Sequence, residues 1–279
     1  MIIFPCAKIN LGLNVVSRRN DGLHDIETVF LPIPLTDALE IKCMDEQFPV
    51  EDACNLTISG ISVFGNGEDN LVVKAYHLLA KDFELPRIYA YLHKRIPVQA
   101  GMGGGSSDAA YMIRLLNERF SLNMKQKEME AYAGRLGADC AFFIASEPAF
   151  ASGTGNILEP FNGLSEHLKG YYLTIVKPDI AVSTREAYCL ITPKRPVKCC
   201  KDIVAKPVET WREELTNDFE APIFSNYPAI AAIKEQLYSL GASFALMSGS
   251  GSAVFALFKE RPVHIEQTFG HCYTVVMQL

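Results

Sequence analysis

The chain has 279 residues, enough for one large or two medium domains with a real hydrophobic core. Its composition is that of a globular protein, 49% hydrophobic and 21% charged, and 26 basic against 32 acidic side chains leave a formal charge of -6. A nucleic-acid binder concentrates Lys and Arg because phosphate contacts carry its affinity; no such stripe is present, which speaks against nucleic acid as a partner.

In chain order, Ala7 to Val16 alternates apolar with polar or small residues and predicts a half-buried strand. Arg18-Arg19-Asn20-Asp21-Gly22 is a charged turn, since Asp-Gly favours positive φ. Ile26 to Leu35, cut by Pro32 and Pro34, reads as extended, as do Ala38 to Cys43 and Asn55 to Ile61. A helix is expected from Asp69-Asn70, where Leu71, Val72, Ala75, Leu78 and Leu79 share one face. Arg87 to Lys94 reads as a strand, Ser107 to Glu118 as a second helix and Met124 to Leu136 as a third. Gly153-Thr154-Gly155 and the mixed segment to Gly170 predict a domain boundary. Beyond it, Tyr171 to Val176 is a strand, Thr192 to Val208 is loose, and Pro228 to Leu240 is a helix. Ser243 to Met247, Ala253 to Phe258 and Cys272 to Leu279 complete the strands, an α+β pattern in two parts.

Eight cysteines without a CxxC pair read as free thiols of a reducing cytoplasm. The opening Met1-Ile2-Ile3-Phe4-Pro5-Cys6 is too short for a signal peptide, and no run of about 18 apolar residues predicts a membrane span. Six histidines without HExxH spacing give no support for a protein-ligated metal.

Four of the five residues from Gly101 to Gly105 are glycine, and Ser106-Ser107 follow. Glycine lets several amide N–H groups converge, and Ser106 or Ser107 is expected to cap the next helix, whose start carries about +0.5 of a charge. Together these make an anion cradle. A Walker A loop requires Lys then Ser or Thr after its last glycine, and this run has no lysine. A dinucleotide fingerprint starting at Gly101 requires its third glycine where Ser106 stands, so that pattern fails too. The second cluster, Ser248-Gly249-Ser250-Gly251-Ser252, suits a hairpin turn as well as a ligand loop.

Lys8 and Asp139 each interrupt an apolar segment, where a charge is costly unless paired or used. A carboxylate can deprotonate an alcohol, and an ammonium can stabilise phosphoryl charge. A structural ion pair or two separate surface charges fit the residues as well.

The segments Pro5-Cys6-Ala7-Lys8-Ile9-Asn10-Leu11, Arg18-Arg19-Asn20-Asp21-Gly22-Leu23-His24 and Pro97 through Ala110 together resemble the GHMP small-molecule kinases. Leu136 to Phe143, Val182-Ser183-Thr184, Asn217-Asp218-Phe219-Glu220 and Ser248 to Ser252 extend the resemblance over nearly the whole chain. The Arg-Arg-x-Asp-Gly-x-His segment is similar to that of members with a cytidylyl substrate. The resemblance implies a GHMP kinase fold: a ribosomal protein S5 domain 2-like ATP-binding domain over 1–155 and a ferredoxin-like domain over 156–279, with substrate between them. It implies ATP-dependent phosphorylation of the C2 hydroxyl of 4-(cytidine-5'-diphospho)-2-C-methyl-D-erythritol in non-mevalonate isoprenoid precursor synthesis. Mg²⁺ is expected with ATP, because phosphoryl transfer requires charge neutralisation.

By the same resemblance Lys8 and Asp139 are the catalytic pair, with Asp139 activating the hydroxyl. Pro97-Val98-Gln99-Ala100-Gly101-Met102-Gly103-Gly104-Gly105-Ser106-Ser107 matches the ATP-phosphate loop, with Asn70 and Lys94 on the nucleotide side. Asn10 matches a residue near the erythritol unit, His24 one that reads the cytosine edge, and Tyr188 an aromatic that stacks on the base. Leu23 stands where the family usually has a tyrosine, which removes about 0.5–1.5 kcal/mol of ring–ring attraction. A cytoplasmic enzyme, monomer or homodimer, is expected. Competing readings are a GHMP kinase for a sugar, homoserine or mevalonate-related alcohol, an S5-like nucleic-acid module, and a structural partner protein.

Overall fold

Period-two alternation shapes the first sheet. In the computed structural model, which describes residues 1–45, 52–62 and 69–279, Ile88, Ala90, Leu92 and Lys94 all point inward from one strand. The strands in chain order are β1 (Ile2–Ile3), β2 (Cys6–Arg18), β3 (His24–Thr36), β4 (Ala38–Cys43), β5 (Cys54–Gly60) and β6 (Ile88–Lys94). They continue with β7 (Ala149–Ser152), β8 (Ile157–Pro160), β9 (Tyr172–Lys177), β10 (Phe244–Met247), β11 (Val254–Phe258) and β12 (Tyr273–Gln278). The helices used below are α1 (Leu71–Leu79), α2 (Gly104–Arg119), α3 (Gln126–Gly134), α4 (Phe142–Ala145), α5 (Leu164–Leu168) and α6 (Thr184–Cys189). After them come α7 (Cys200–Val204), α8 (Trp211–Glu214), α9 (Glu220–Asn226) and α10 (Pro228–Ser239).

By contact the chain divides into two units. The first gathers Met1–Ala7, Leu35–Val98 and Gly103–Ser146; the second gathers Lys8–Pro34, Gln99–Met102 and Glu147–Leu279. The first unit holds the sheet β1-β4-β6-β5. Here β5 and β6 run parallel, which demands a crossover, and α1 lies on it. Helix α2 buries Met112, Ile113, Leu115 and Leu116 completely, each worth about 1.5–3 kcal/mol relative to exposure. Its glycine start permits close approach: a Cβ on Gly104 would lie 2.9 Å from Ile96.

The second unit holds two sheets, β2-β3-β7-β8 and the antiparallel β10-β11-β9-β12. Strand β3 pairs with β7 through Thr28, Val29 and Phe30, before Pro32 and Pro34, which cannot donate to a ladder. Helix α10 supplies Ile230, Ile233 and Leu237 to a core with Met247, Val254 and Phe219.

Most expected elements occur. Three differ. Helix α2 begins at Gly104, three residues before the expected Ser107, because Gly103 caps it in the left-handed region at φ 68. Ser106 and Ser107 therefore lie inside the helix and neither serves as its cap. Gly153 and Gly155 turn β7 into β8 at φ 63 and 97, so this glycine signal makes a hairpin, and the expected division after residue 155 falls within it. The loose stretch from Thr192 to Val208 contains α7, too short for a periodic signal.

Candidate active site

Within the second unit the two glycine-serine loops meet. The Ser248 hydroxyl donates to the Gly101 carbonyl at 2.9 Å and accepts from the Asn10 amide at 3.4 Å. Gly101 has φ 72, and a Cβ there would stand 1.9 Å from the Ser248 carbonyl oxygen. Gly249, at φ 56, faces the Gly101 backbone in turn, its own Cβ position lying 3.0 Å from Gly101 O. Glycine is required at both positions by conformation and by space. Ser252 and Ala253 add backbone bonds to Gln99 and Ala100, each at 3.4 Å. The reading of Ser248–Ser252 as a mere hairpin turn is thus incomplete: it is also the seat of the first loop.

Lys8 and Asn10 lie on β2 in the same unit. Both are nearly fully buried, at 3% and 1% exposure. Thr28 donates its hydroxyl proton to the Gly12 carbonyl at 2.5 Å, so it accepts from the Asn10 amide nitrogen at 2.9 Å. That turns the Asn10 amide oxygen toward Lys8, whose ammonium donates to it at 2.6 Å. The ammonium also lies 4.8 Å from the Phe30 ring centre, and the Lys8 amide donates to the Met102 carbonyl at 3.0 Å. A buried cation so held is oriented before any ligand arrives.

His24 and Tyr188 come together, with ring centres 4.9 Å apart and planes 19° from parallel. Tyr188 is braced edge-on by Phe219 at 4.9 Å. Burial, aided by the Arg18 charge, pushes the His24 imidazole below its ordinary pKa, which favours the neutral ring near pH 7. A neutral imidazole offers one donor and one acceptor. Leu23 is 55% exposed, with its amide held by Asp21 at 3.0 Å.

In the first unit, Ser107 N to Gly103 O, at 2.8 Å, is the first bond of α2, so the amides of Gly104, Gly105 and Ser106 precede the helical ladder. A Cβ on Gly105 would meet only Leu71, at 4.0 Å, leaving this side open to an anion. The Ser107 hydroxyl is buried with no hydrogen-bond partner among the described residues. A buried orphan hydroxyl is costly unless a ligand completes it. Asn70 caps α1, accepting from Val72 N at 2.9 Å. Asp139 lies in the turn before α4, half-buried beside Cys140, whose thiol hydrogen-bonds Ser106 and is pushed up to about 11 mainly by burial. Among the described residues no three His, Cys, Asp or Glu side chains form a metal cage.

Lys94 has a role that sequence reasoning missed. Alternation in β6 carries its side chain inward, where its ammonium is paired with Asp37 and with Asp108 at 2.6 Å. Asp37 also accepts from Ile96 N at 2.8 Å. The interaction with nucleotide expected of Lys94 thus competes with two carboxylates that already hold it. No sequence signal links these three residues, because their separations of 57 and 14 positions follow no local period. Burial raises the Asp108 carboxyl to about 7, with Lys94 opposing and Asp37 reinforcing the shift. The folded chain therefore holds this proton at a pH where the unfolded chain has lost it. The stability contributed by Asp108 falls as pH rises from about 4 to about 7. Denaturant titrations at pH 5 and pH 8 should show that Asp108→Asn is less pH-dependent than the parent, and equal slopes would refute this origin.

Residues 70–147 match the GHMP kinases N terminal domain and residues 201–269 the GHMP kinases C terminal domain. A 4-diphosphocytidyl-2-C-methyl-D-erythritol kinase of Bacteroides fragilis is 53% identical over 258 residues, covering 92% of each chain. The protein of that name in Parabacteroides distasonis is 50% identical over 275 residues, 98% of this chain and 97% of its own. The crystal structure of a 4-(cytidine 5'-diphospho)-2C-methyl-D-erythritol kinase superposes at TM-score 0.81 with 28% identity, both chains being fully covered. The Methanococcus jannaschii mevalonate kinase, at TM-score 0.73 and 14% identity over 100% of this chain and 98% of its own, shares the fold.

Proposed function

This chain belongs to the 4-diphosphocytidyl-2-C-methyl-D-erythritol kinase family of GHMP kinases, and from that premise we propose that it phosphorylates the C2 hydroxyl of 4-(cytidine-5'-diphospho)-2-C-methyl-D-erythritol with ATP. The observation that carries the phosphate side is the start of α2: Gly105 is open, and the buried Ser107 hydroxyl has no partner among the described residues. Amides ahead of a helical ladder and a free hydroxyl suit the oxygens of a polyphosphate. Mg²⁺ accompanying ATP would be held at the buried Ser107 hydroxyl, unpartnered among the described residues, and would supply neutralisation of phosphate charge.

Asp139 takes the acceptor's hydroxyl proton, and the Lys8 ammonium stabilises charge on the transferring group. Asn10 orients Lys8 and the polyol. Neutral His24 reads the donor–acceptor edge of cytosine, while Tyr188 offers its ring face. Asn70 supports the nucleotide side at the start of α1, and Lys94 does so indirectly, by holding Asp108 of α2. No described helix is long and apolar enough to cross a membrane.

The deciding test is an ATP-coupled turnover assay on a panel of alcohols with and without the cytidine diphosphate group. Turnover indifferent to cytidine would move the chain to a different acceptor class. In the same assay His24→Ala should raise the acceptor KM by about tenfold with the ATP KM unchanged, the size expected for one lost charge-neutral base contact. Leu23→Tyr should lower it by roughly two- to tenfold by adding a ring face. An ATP KM that moved with either variant would contradict the assignment.

A further inference from the structure

Asn217 sits at the centre of the second unit's loop contacts, yet neither ligand nor catalysis has been assigned to it. The segment around it is bound to β2: Leu13 N donates to Thr216 O at 2.9 Å, and Asp218 N donates to Leu13 O at 2.9 Å. The Asp218 carboxylate accepts from Val15 N at 2.8 Å. The side chain of Asn217 then reaches the second glycine-serine loop, where its amide nitrogen donates to both Met247 O and Gly249 O at 2.8 Å. Its oxygen is already committed, accepting from Phe219 N at 3.0 Å. The residue is 3% exposed, and every polar atom of its side chain is used.

We infer that Asn217 is a positioning residue for phosphoryl transfer, acting through the carbonyls of Met247 and Gly249 on the loop that seats Gly101 and Asn10. The inference rests on the kinase reading above. One strand, β2, carries Lys8 and Asn10, and Asn217 ties the opposing loop back to that same strand. Between these anchors the loop has little freedom. Ser248 follows one clamped carbonyl and precedes the other, and its hydroxyl touches Gly101 O and Asn10 N. Rotation of the Gly249 carbonyl would move Ser248 and so unseat both contacts. Aspartate at this position keeps the size and the acceptor for Phe219 while removing both donors. It is therefore a sharper probe than alanine.

The test compares Asn217→Asp with the parent and with Leu237→Val, which thins the adjoining core and leaves the hydrogen bonds of Asn217 in place. Asn217→Asp should fold, lose turnover by about 100-fold at pH 7.5, as misplacement of a reacting group does, and keep the ATP Kd within about threefold. Its turnover relative to the parent should rise as pH falls toward 6, because a protonated carboxyl regains one donor. Leu237→Val, at an equal or larger drop in Tm, should keep turnover within about twofold. If Asn217→Asp loses no more turnover than Leu237→Val at matched Tm, the positioning role is overturned. Hydrogen exchange separates this outcome from failure of the kinase reading. Amides of residues 99–102 and 248–253 should exchange about tenfold faster in Asn217→Asp, with those of β9 and β12 unchanged. A parent without kinase activity would count against the function alone. Unchanged exchange in both loops would count against Asn217.

Discussion

Asp139→Asn is expected to lower turnover by about 10³-fold, within the range lost when a positioned base is removed, while leaving the ATP Kd within about twofold. The substitution is isosteric, and the carboxylate it replaces is half-buried in a turn. What changes is chemistry: an amide oxygen cannot take the proton of the attacking hydroxyl. The informative quantity is kcat from single turnovers at saturating ATP and acceptor. A variant within about threefold of the parent would remove Asp139 from the mechanism. Lys8→Ala is a poorer probe, because Lys8 is buried and hydrogen-bonded to Asn10, so truncation also disturbs its neighbour.

The second large effect belongs to Gly101. Gly101→Ala should destabilise the protein by about 2–5 kcal/mol, combining roughly 1–2 for a side chain in the left-handed region with roughly 1–3 for overpacking. The clash is with backbone, the Ser248 carbonyl at 1.9 Å, and backbone cannot swing aside as a side chain can. Turnover should fall by about 100-fold even where the variant stays folded, because the loop can accept the methyl only by leaving Ser248. Gly105→Ala is the contrasting case. Its backbone is helical and its Cβ meets only Leu71, at 4.0 Å, so stability should hold while the ATP KM rises through a methyl on the phosphate side. Denaturant midpoints and ATP KM values together check both. A Gly101→Ala variant with parental Tm and kcat would contradict the close seating of the two loops.

Much of the fold was legible because it is periodic. Alternation in β6 and the one-faced stripe of α1 are properties of adjacent residues, and both appear where expected. The start of α2 was misplaced by one turn for a local reason: a left-handed glycine caps without a side chain, so Ser106 and Ser107 looked like caps and are not. Short helices such as α4 and α7 were not legible, since four or five residues cannot show a 3.6-residue period.

The candidate site divides the same way. By itself the sequence determined that a glycine-rich, backbone-lined turn leads into a helix between Gly101 and Ser107, because four glycines in five residues have few other uses. Only the tertiary structure decided what that loop rests on. Ser248 meets Gly101 across 147 positions, Lys94 meets Asp37 across 57, and Asn217 meets Gly249 across 32. Such contacts have no period and no fixed spacing. They exist because burial leaves each polar group to find a partner among whatever the packed strands bring within 3 Å, a choice made by the fold as a whole.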